Sequence, residues 1–151
     1  MAQTNTSADA PPASSDQAVW SKVLALHTRV ERKLAQSLQR AHGIGLSEYR
    51  ALADLAQADD GELRMQELAD RIGLNQSSVT RLVGRLDAVG FAYRDVCLDD
   101  GRGVYAVITD EGRERYKAAR GTYAEALASE LDTASADPQL ADVVQALRNA
   151  L

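Results

Sequence analysis

The chain has 151 residues, enough for one domain with a hydrophobic core of its own, and its 45% apolar and 26% charged content is ordinary for a globular protein. A formal net charge of −5 argues against nucleic-acid binding driven by bulk charge and moves the question to local charge. No apolar run reaches the roughly 18–20 residues of a membrane span, the start shows no secretory pattern, and the single cysteine, Cys97, excludes an intramolecular disulfide and fits a reducing cytoplasm.

Residues 1–16, rich in Ala, Ser, Thr and Pro, read as a disordered tail, and residues 17–151 as one domain. From about 16 to 42 the pattern is a long helix, with Trp20, Val23, Leu24, His27, Val30, Leu34 and Leu38 in a single stripe. "HGIG" stops it with two glycines. Ser47 reads as the N-cap of a second helix to about Ala58, with Tyr49, Leu52 and Leu55 on one side, and "DDG" (59–61) as a turn. A third helix, "MQELADRIG", ends at Gly73, and a fourth runs on to about Val89.

After Gly90 the texture changes. "FAYRDVCL" and "VYAVIT" are rich in aromatic and β-branched residues and flank "DDGRG", the pattern of a β-hairpin with a glycine-bearing loop. Helix resumes near Asp110 and carries Tyr116, Tyr123, Leu127 and Leu131, until "ASADP" breaks it. Asp137 then reads as the cap of a last helix with Pro138 at its first position, its apolar side formed by Leu140, Val143, Val144, Leu147 and Leu151. The expected fold is mainly α with a small β-hairpin.

The fourth helix carries the chemistry. In "GLNQSSVTRLVGRL", Val79, Leu82, Val83 and Leu86 repeat at i, i+3, i+4, i+7. Ser77, Arg81 and Gly84 fall on the opposite face, flanked by Ser78, Thr80 and Arg85. Ser, Thr and Gly are mediocre or poor helix formers, so that face is not composed for helix stability. Two short helices joined by a tight glycine turn form a helix-turn-helix. Ala69 permits close approach, and Gly73 takes the left-handed conformation of the turn. Val79 and Leu82 pack back onto the third helix. Gln76, Ser77, Ser78, Thr80 and Arg81 are then free for base edges and phosphates in a major groove. Asn75 reads as the N-cap, and Gln66 as a phosphate contact.

The hairpin after the helix-turn-helix makes a wing. Arg102 sits at its tip between Gly101 and Gly103, suited to a narrow minor groove, while Asp100 braces the loop or holds Arg102 by a charge-assisted hydrogen bond. At this point the chain resembles the MarR-type winged helix-turn-helix regulators over roughly 46–112. "ELADRIGLNQSSVTRLVGRLDAVGF" is similar to the family's helix-turn-helix, "DGRG" to its Asp-x-Arg wing motif, and "VITDEG" to its Leu-Thr-x-x-Gly segment. The resemblance implies a DNA-binding lobe at about 47–110, and a homodimer joined through helices at about 17–42 and 110–151. It also implies a near-palindromic operator in double-stranded DNA. Ser77 and Arg81 match base-reading positions and Arg102 the minor-groove arginine. Gly101 departs from the pattern, since many members carry a second arginine there.

The same resemblance implies a small aromatic or acidic ligand between the first, second and fifth helices, with Trp20, His27, Arg50 and Tyr116 as candidate lining. The residues by themselves read His27 as a hydrogen-bonded core or interface histidine and Cys97 as a buried, inert thiol. No G-x-S-x-G, P-loop, G-x-G-x-x-G or metal-ligand spacing occurs in the sequence, so the expectation is a non-enzyme without cofactor or metal. The sequence therefore reads as a cytoplasmic DNA-binding regulator, a repressor relieved by a small molecule. The alternative is a winged-helix module for protein–protein assembly. Between Arg64 and Arg102 six basic side chains meet six acidic ones, a balance that suits the alternative too.

Overall fold

In the computed structural model, which describes residues 14–97 and 103–150, helix α1 spans Ser15–His42. A reciprocal cap fixes its start. The Gln17 amide donates to Ser14 Oγ at 3.2 Å, and the Ser14 amide donates to the Gln17 side chain at 2.8 Å, satisfying two donors that a helix start leaves orphaned. The helix thus begins inside the stretch expected as a tail, of which residues 1–13 lie outside the described residues. It ends where Gly43 turns left-handed at φ 62°, a conformation with no steric cost for glycine.

Helix α2 covers Leu46–Gln57, and its N-cap falls on Gly45, not on Ser47. The Glu48 carboxylate reaches back to accept the Gly45 amide at 2.8 Å, so the cap is supplied from within the first turn and Ser47 is left exposed. After the turn at Asp59–Gly61 comes a strand that the sequence reading did not anticipate: β1, Glu62–Arg64. It pairs antiparallel with β3, Gly103–Ile108, through Leu63 and Ala106. The expected hairpin, β2 (Ala92–Cys97) with β3, is therefore part of a three-stranded sheet in the order β1-β3-β2. A three-residue strand is too short to show alternation.

Helices α3 (Met65–Ile72) and α4 (Gln76–Ala88) lie between β1 and β2. The long α5, Asp110–Ser135, runs beside α1. Its ties to α1 are Arg29 Nε donating to Glu130 at 2.9 Å, His42 Nε2 sharing a hydrogen bond with Thr122 Oγ1 at 2.7 Å, and Arg115 donating to the His42 carbonyl. Helix α6 begins at Ala141, three residues beyond the expected Pro138. The Asp137 carbonyl accepts the amides of Leu140 and Ala141, both at 2.9 Å, and its carboxylate accepts that of Gln139. Asp137 closes a turn ahead of the helix.

Two apolar clusters hold these elements. The larger joins α2, α3, α4 and the sheet to the C-terminal part of α1 and to Ala119 of α5. The smaller gathers Leu26, Ala134, Leu140 and Val144 where α1, α5 and α6 meet. The stripe expected on α1 divides accordingly. Leu34 and Leu38 are buried with Leu26, whereas Trp20 and Leu24 stand 60% and 48% exposed. Among the described residues no helix is long and apolar enough to cross a membrane.

Candidate nucleic-acid interface

The turn between α3 and α4 is built as the spacing requires. Gly73 is left-handed at φ 70°, and the Leu74 amide donates to the Ala69 carbonyl at 3.0 Å. Asn75 then caps α4: its Oδ1 accepts the Ser78 amide at 2.8 Å and the Ser77 hydroxyl at 2.9 Å. One carbonyl oxygen thereby starts the helix and orients Ser77 on its outer face.

Val79, Leu82 and Val83 are fully buried and Leu86 nearly so. Burying four such side chains is worth several kcal/mol (about 1.5–3 each), which locks the rotational phase of α4. Gln76, Ser77, Arg81, Gly84 and Arg85 are consequently exposed, with Ser78 and Thr80 at the margin. The Thr80 hydroxyl donates to the Gln76 carbonyl at 2.8 Å, which leaves it only as an acceptor toward an incoming donor. A Cβ on Gly84 would meet nothing within 4 Å, so this glycine is not demanded by the fold. Gln66 lies exposed on α3, its amide nitrogen donating to Asp70 at 3.0 Å.

Charge on this surface is unevenly committed. Arg71 pairs with Glu67 at 2.8 Å, and Arg85 Nε lies 3.4 Å from Glu48 Oε1. Among the described residues, Arg81 meets the Ser78 hydroxyl, at 3.5 Å, and no carboxylate. The sequence reading missed Glu48, which is sequence-distant from α4 and becomes its neighbour only through the packing of α2.

The wing is anchored firmly at its base. β2 and β3 pair from Ala92↔Ile108 to Cys97↔Gly103, so Gly103 belongs to a strand. Thr109 binds the sheet to α5: its amide donates to the Phe91 carbonyl at 3.0 Å, and its hydroxyl donates to the Gly90 carbonyl at 2.6 Å and accepts from Gly112 at 3.0 Å. Asp100, Gly101 and Arg102 lie outside the described residues, as does the Cys97 side chain.

Of the four residues expected around a ligand, two share a cleft. Arg50 and Tyr116 line a cavity of about 450 Å³ with Tyr49, Ala53, Asp54, Gln57, Arg71, Ile72 and Tyr123. Trp20 and His27 do not line it. Helical phase turns both outward, and His27 reaches the site only indirectly, its Nε2 lying 3.7 Å from Glu31. Arg50, Ala53, Asp54 and Gln57 recur at i, i+3, i+4, i+7 on α2, a polar face legible in the sequence but not used there. Tyr49 stacks on Tyr123 at 4.7 Å, and burial raises the Tyr49 pKa. Arg50 forms a fork with Glu31, at 2.9 and 2.5 Å. That hydrogen bonding depresses the Glu31 pKa and raises that of Arg50. Burial raises the Asp54 pKa, opposed by the charge of Arg71.

A family model described as the MarR family matches residues 42–103, a segment running from the end of α1 to the start of β3. An uncharacterized HTH-type transcriptional regulator of Mycobacterium leprae is 34% identical over 94 residues. That alignment covers 62% of this chain and 64% of the relative, so the chain spans less than two thirds of that protein's length. The crystal structure of a MarR family transcriptional regulator from Streptomyces coelicolor, in complex with DNA, superposes with a TM-score of 0.75 at 28% identity, covering 93% of this chain and 89% of that one. A Mycobacterium tuberculosis MarR family protein in complex with salicylic acid superposes at 0.61, with 22% identity over 91% of this chain and 96% of the other. This last likeness is one of fold.

Proposed function

Because the chain belongs to the MarR family of winged helix-turn-helix proteins, we propose that it is a sequence-specific DNA-binding transcriptional regulator acting in the cytoplasm. The observation that carries this reading is the division of α4 into a buried apolar face and an exposed face of short polar side chains and arginine. Helix α4 enters the major groove. Ser77 and Arg81 read base edges, while Gln76, Ser78, Thr80, Arg85 and, on α3, Gln66 hold base edges and phosphates. Arg102, carried beyond β2 and before β3, enters the adjacent minor groove.

The active species in this reading is a homodimer on a near-palindromic operator. Val19, Trp20 and Leu24 on α1 and Leu147 on α6 are 48–60% exposed, an apolar surface that a twin subunit would cover. The two copies of α4 must then lie about one DNA turn apart, roughly 34 Å. The cleft between α2, α3 and α5 receives a small aromatic or acidic molecule. A ligand that favours a dimer of different spacing shifts the population off the operator, so the protein acts as a repressor released by that ligand.

Selection of bound sequences from random DNA tests the reading, with a palindrome expected. Arg81→Ala should cost about 1–3 kcal/mol and relax preference at one position; an equal loss for every sequence would remove its base-reading role. Arg102→Ala should weaken binding and reduce its salt slope. A chain that binds no duplex even at low salt would instead be the protein–protein assembly module.

A further inference from the structure

Glu48 does two things at once. One carboxylate oxygen accepts the Gly45 amide at 2.8 Å, and the other lies 3.4 Å from Arg85 Nε. Both oxygens are thus engaged, and the carboxylate is fixed at the start of α2. Its partner is different in kind. The Arg85 side chain is 58% exposed and emerges one helical turn beyond Arg81 on the outer face of α4. A negative charge is therefore held against the proposed DNA surface, on the cation best placed after Arg81 to reach a phosphate.

We infer that Glu48 is a restraint on DNA binding: it holds Arg85 in reserve, so that α4 presents Arg81 to the duplex as its uncommitted cation. The inference rests on the DNA-binding reading above and adds a determinant of affinity that lies on another helix. An arginine neutralised by a carboxylate releases no counterion from the phosphate backbone. Arg85 turns its Nε–H to Glu48, so a phosphate that takes the remaining guanidinium N–H groups sits with a carboxylate on the far side of the same cation. Two unit charges about 7 Å apart, at an effective dielectric of about 40–80, account for roughly a three- to sevenfold loss of affinity. The restraint falls on phosphate contact and is blind to sequence.

Glu48→Gln tests this with the cap kept, because the amide oxygen of Gln still accepts the Gly45 amide. The probes are a duplex enriched from random DNA by the unaltered protein and a scrambled duplex of the same length, titrated at several salt concentrations. Affinity for both duplexes should rise about three- to sevenfold, and the slope of log K against log salt should steepen by about one. In a chain that already carries Arg85→Ala, Glu48→Gln should give no gain in affinity and no change in slope. A matching thermal midpoint confirms that α2 is intact. Unchanged affinity and slope in a folded Glu48→Gln protein would overturn the inference and leave DNA binding standing. A gain that survives Arg85→Ala would overturn it as well, since Glu48 would then act without Arg85. Failure of the unaltered protein to bind either duplex would instead overturn the DNA-binding reading.

Discussion

Three glycines give a prediction with opposite signs from one chemical change. Gly112 lies in the first turn of α5, where a Cβ would fall well inside contact with the Phe91 carbonyl oxygen, 2.9 Å from the carbonyl carbon and 3.0 Å from Ile108 Cγ1. The first two neighbours are backbone, so no rotamer change relieves them. Gly112→Ala should cost about 1–3 kcal/mol as overpacking. A further 0.5–1.5 kcal/mol or so follows if the Thr109 to Phe91 hydrogen bond breaks, offset by at most about 1 kcal/mol of helix propensity. The net is about 1–3 kcal/mol, or roughly 2–12 °C in thermal midpoint for a chain of this size.

Gly84 and Gly121 are the counterpart. Both lie inside helices, and a Cβ on either meets nothing within 4 Å. Gly84→Ala and Gly121→Ala should each stabilise by up to about 1 kcal/mol. The two separate on DNA. Gly84 lies on the exposed face of α4, where a duplex would approach the backbone, so its alanine variant should be more stable and bind the selected duplex about tenfold more weakly, a change of roughly 1.4 kcal/mol. Melting curves and a DNA titration on the three variants suffice. An unchanged midpoint in Gly112→Ala would refute the close-approach argument. A Gly84→Ala protein that binds undiminished would show that DNA does not reach that part of α4.

Three further outcomes follow from the same contacts. Leu82→Ala should destabilise by about 2–5 kcal/mol because the side chain is fully buried, and DNA binding should fall with helix content, as circular dichroism and titration at low temperature would report. Asn75→Ala removes the cap of α4 and should cost about 1 kcal/mol, with a larger loss of sequence preference than of stability because Ser77 loses its anchor. Glu31 has a depressed pKa because Arg50 hydrogen-bonds to it. Its contribution to stability is therefore complete above the unfolded carboxyl value of about 4.3 and is lost as pH falls through the folded one. Glu31→Gln should accordingly flatten the dependence of denaturation midpoint on pH below about 5.

What the sequence made legible was whatever rests on local periodicity. The inward stripe of α4, the Gly73 turn and the Asn75 cap all lie within one continuous stretch, and their mutual spacing dictates their geometry. The errors arose where a distant partner decides. Ser47 looks like a cap, yet Glu48 makes the cap from within the turn. Pro138 looks like a first helical residue, yet the Asp137 carbonyl closes a separate turn there. Trp20 and His27 share a stripe with Leu34, but only the C-terminal half of α1 has α2 to pack against. Strand β1 exists because β3 offers it hydrogen bonds, and three residues cannot announce that alone. The cleft is intermediate. The α2 face of Arg50, Ala53, Asp54 and Gln57 repeats in sequence, but Tyr116 and Tyr123 join it only through tertiary packing.

The same distinction bears on how a chain of net charge −5 can address a polyanion. At physiological ionic strength exposed charges are largely screened beyond about 8 Å, so carboxylates on α1, α5 and α6 contribute little at the outer face of α4. The charges that count are those within contact of the duplex, and there pairing matters more than number. Arg71 is committed to Glu67 and Arg85 to Glu48, while Arg81 faces a hydroxyl. A surface so arranged gains little from backbone contact at random positions, because most of its arginines already have a carboxylate beside them. On the proposed reading, affinity then comes from base edges met by Ser77 and Arg81, from the wing, and from a second subunit in register. Weak attraction to arbitrary DNA follows, on that same reading, from where two carboxylates and three arginines sit, and it favours discrimination over raw affinity.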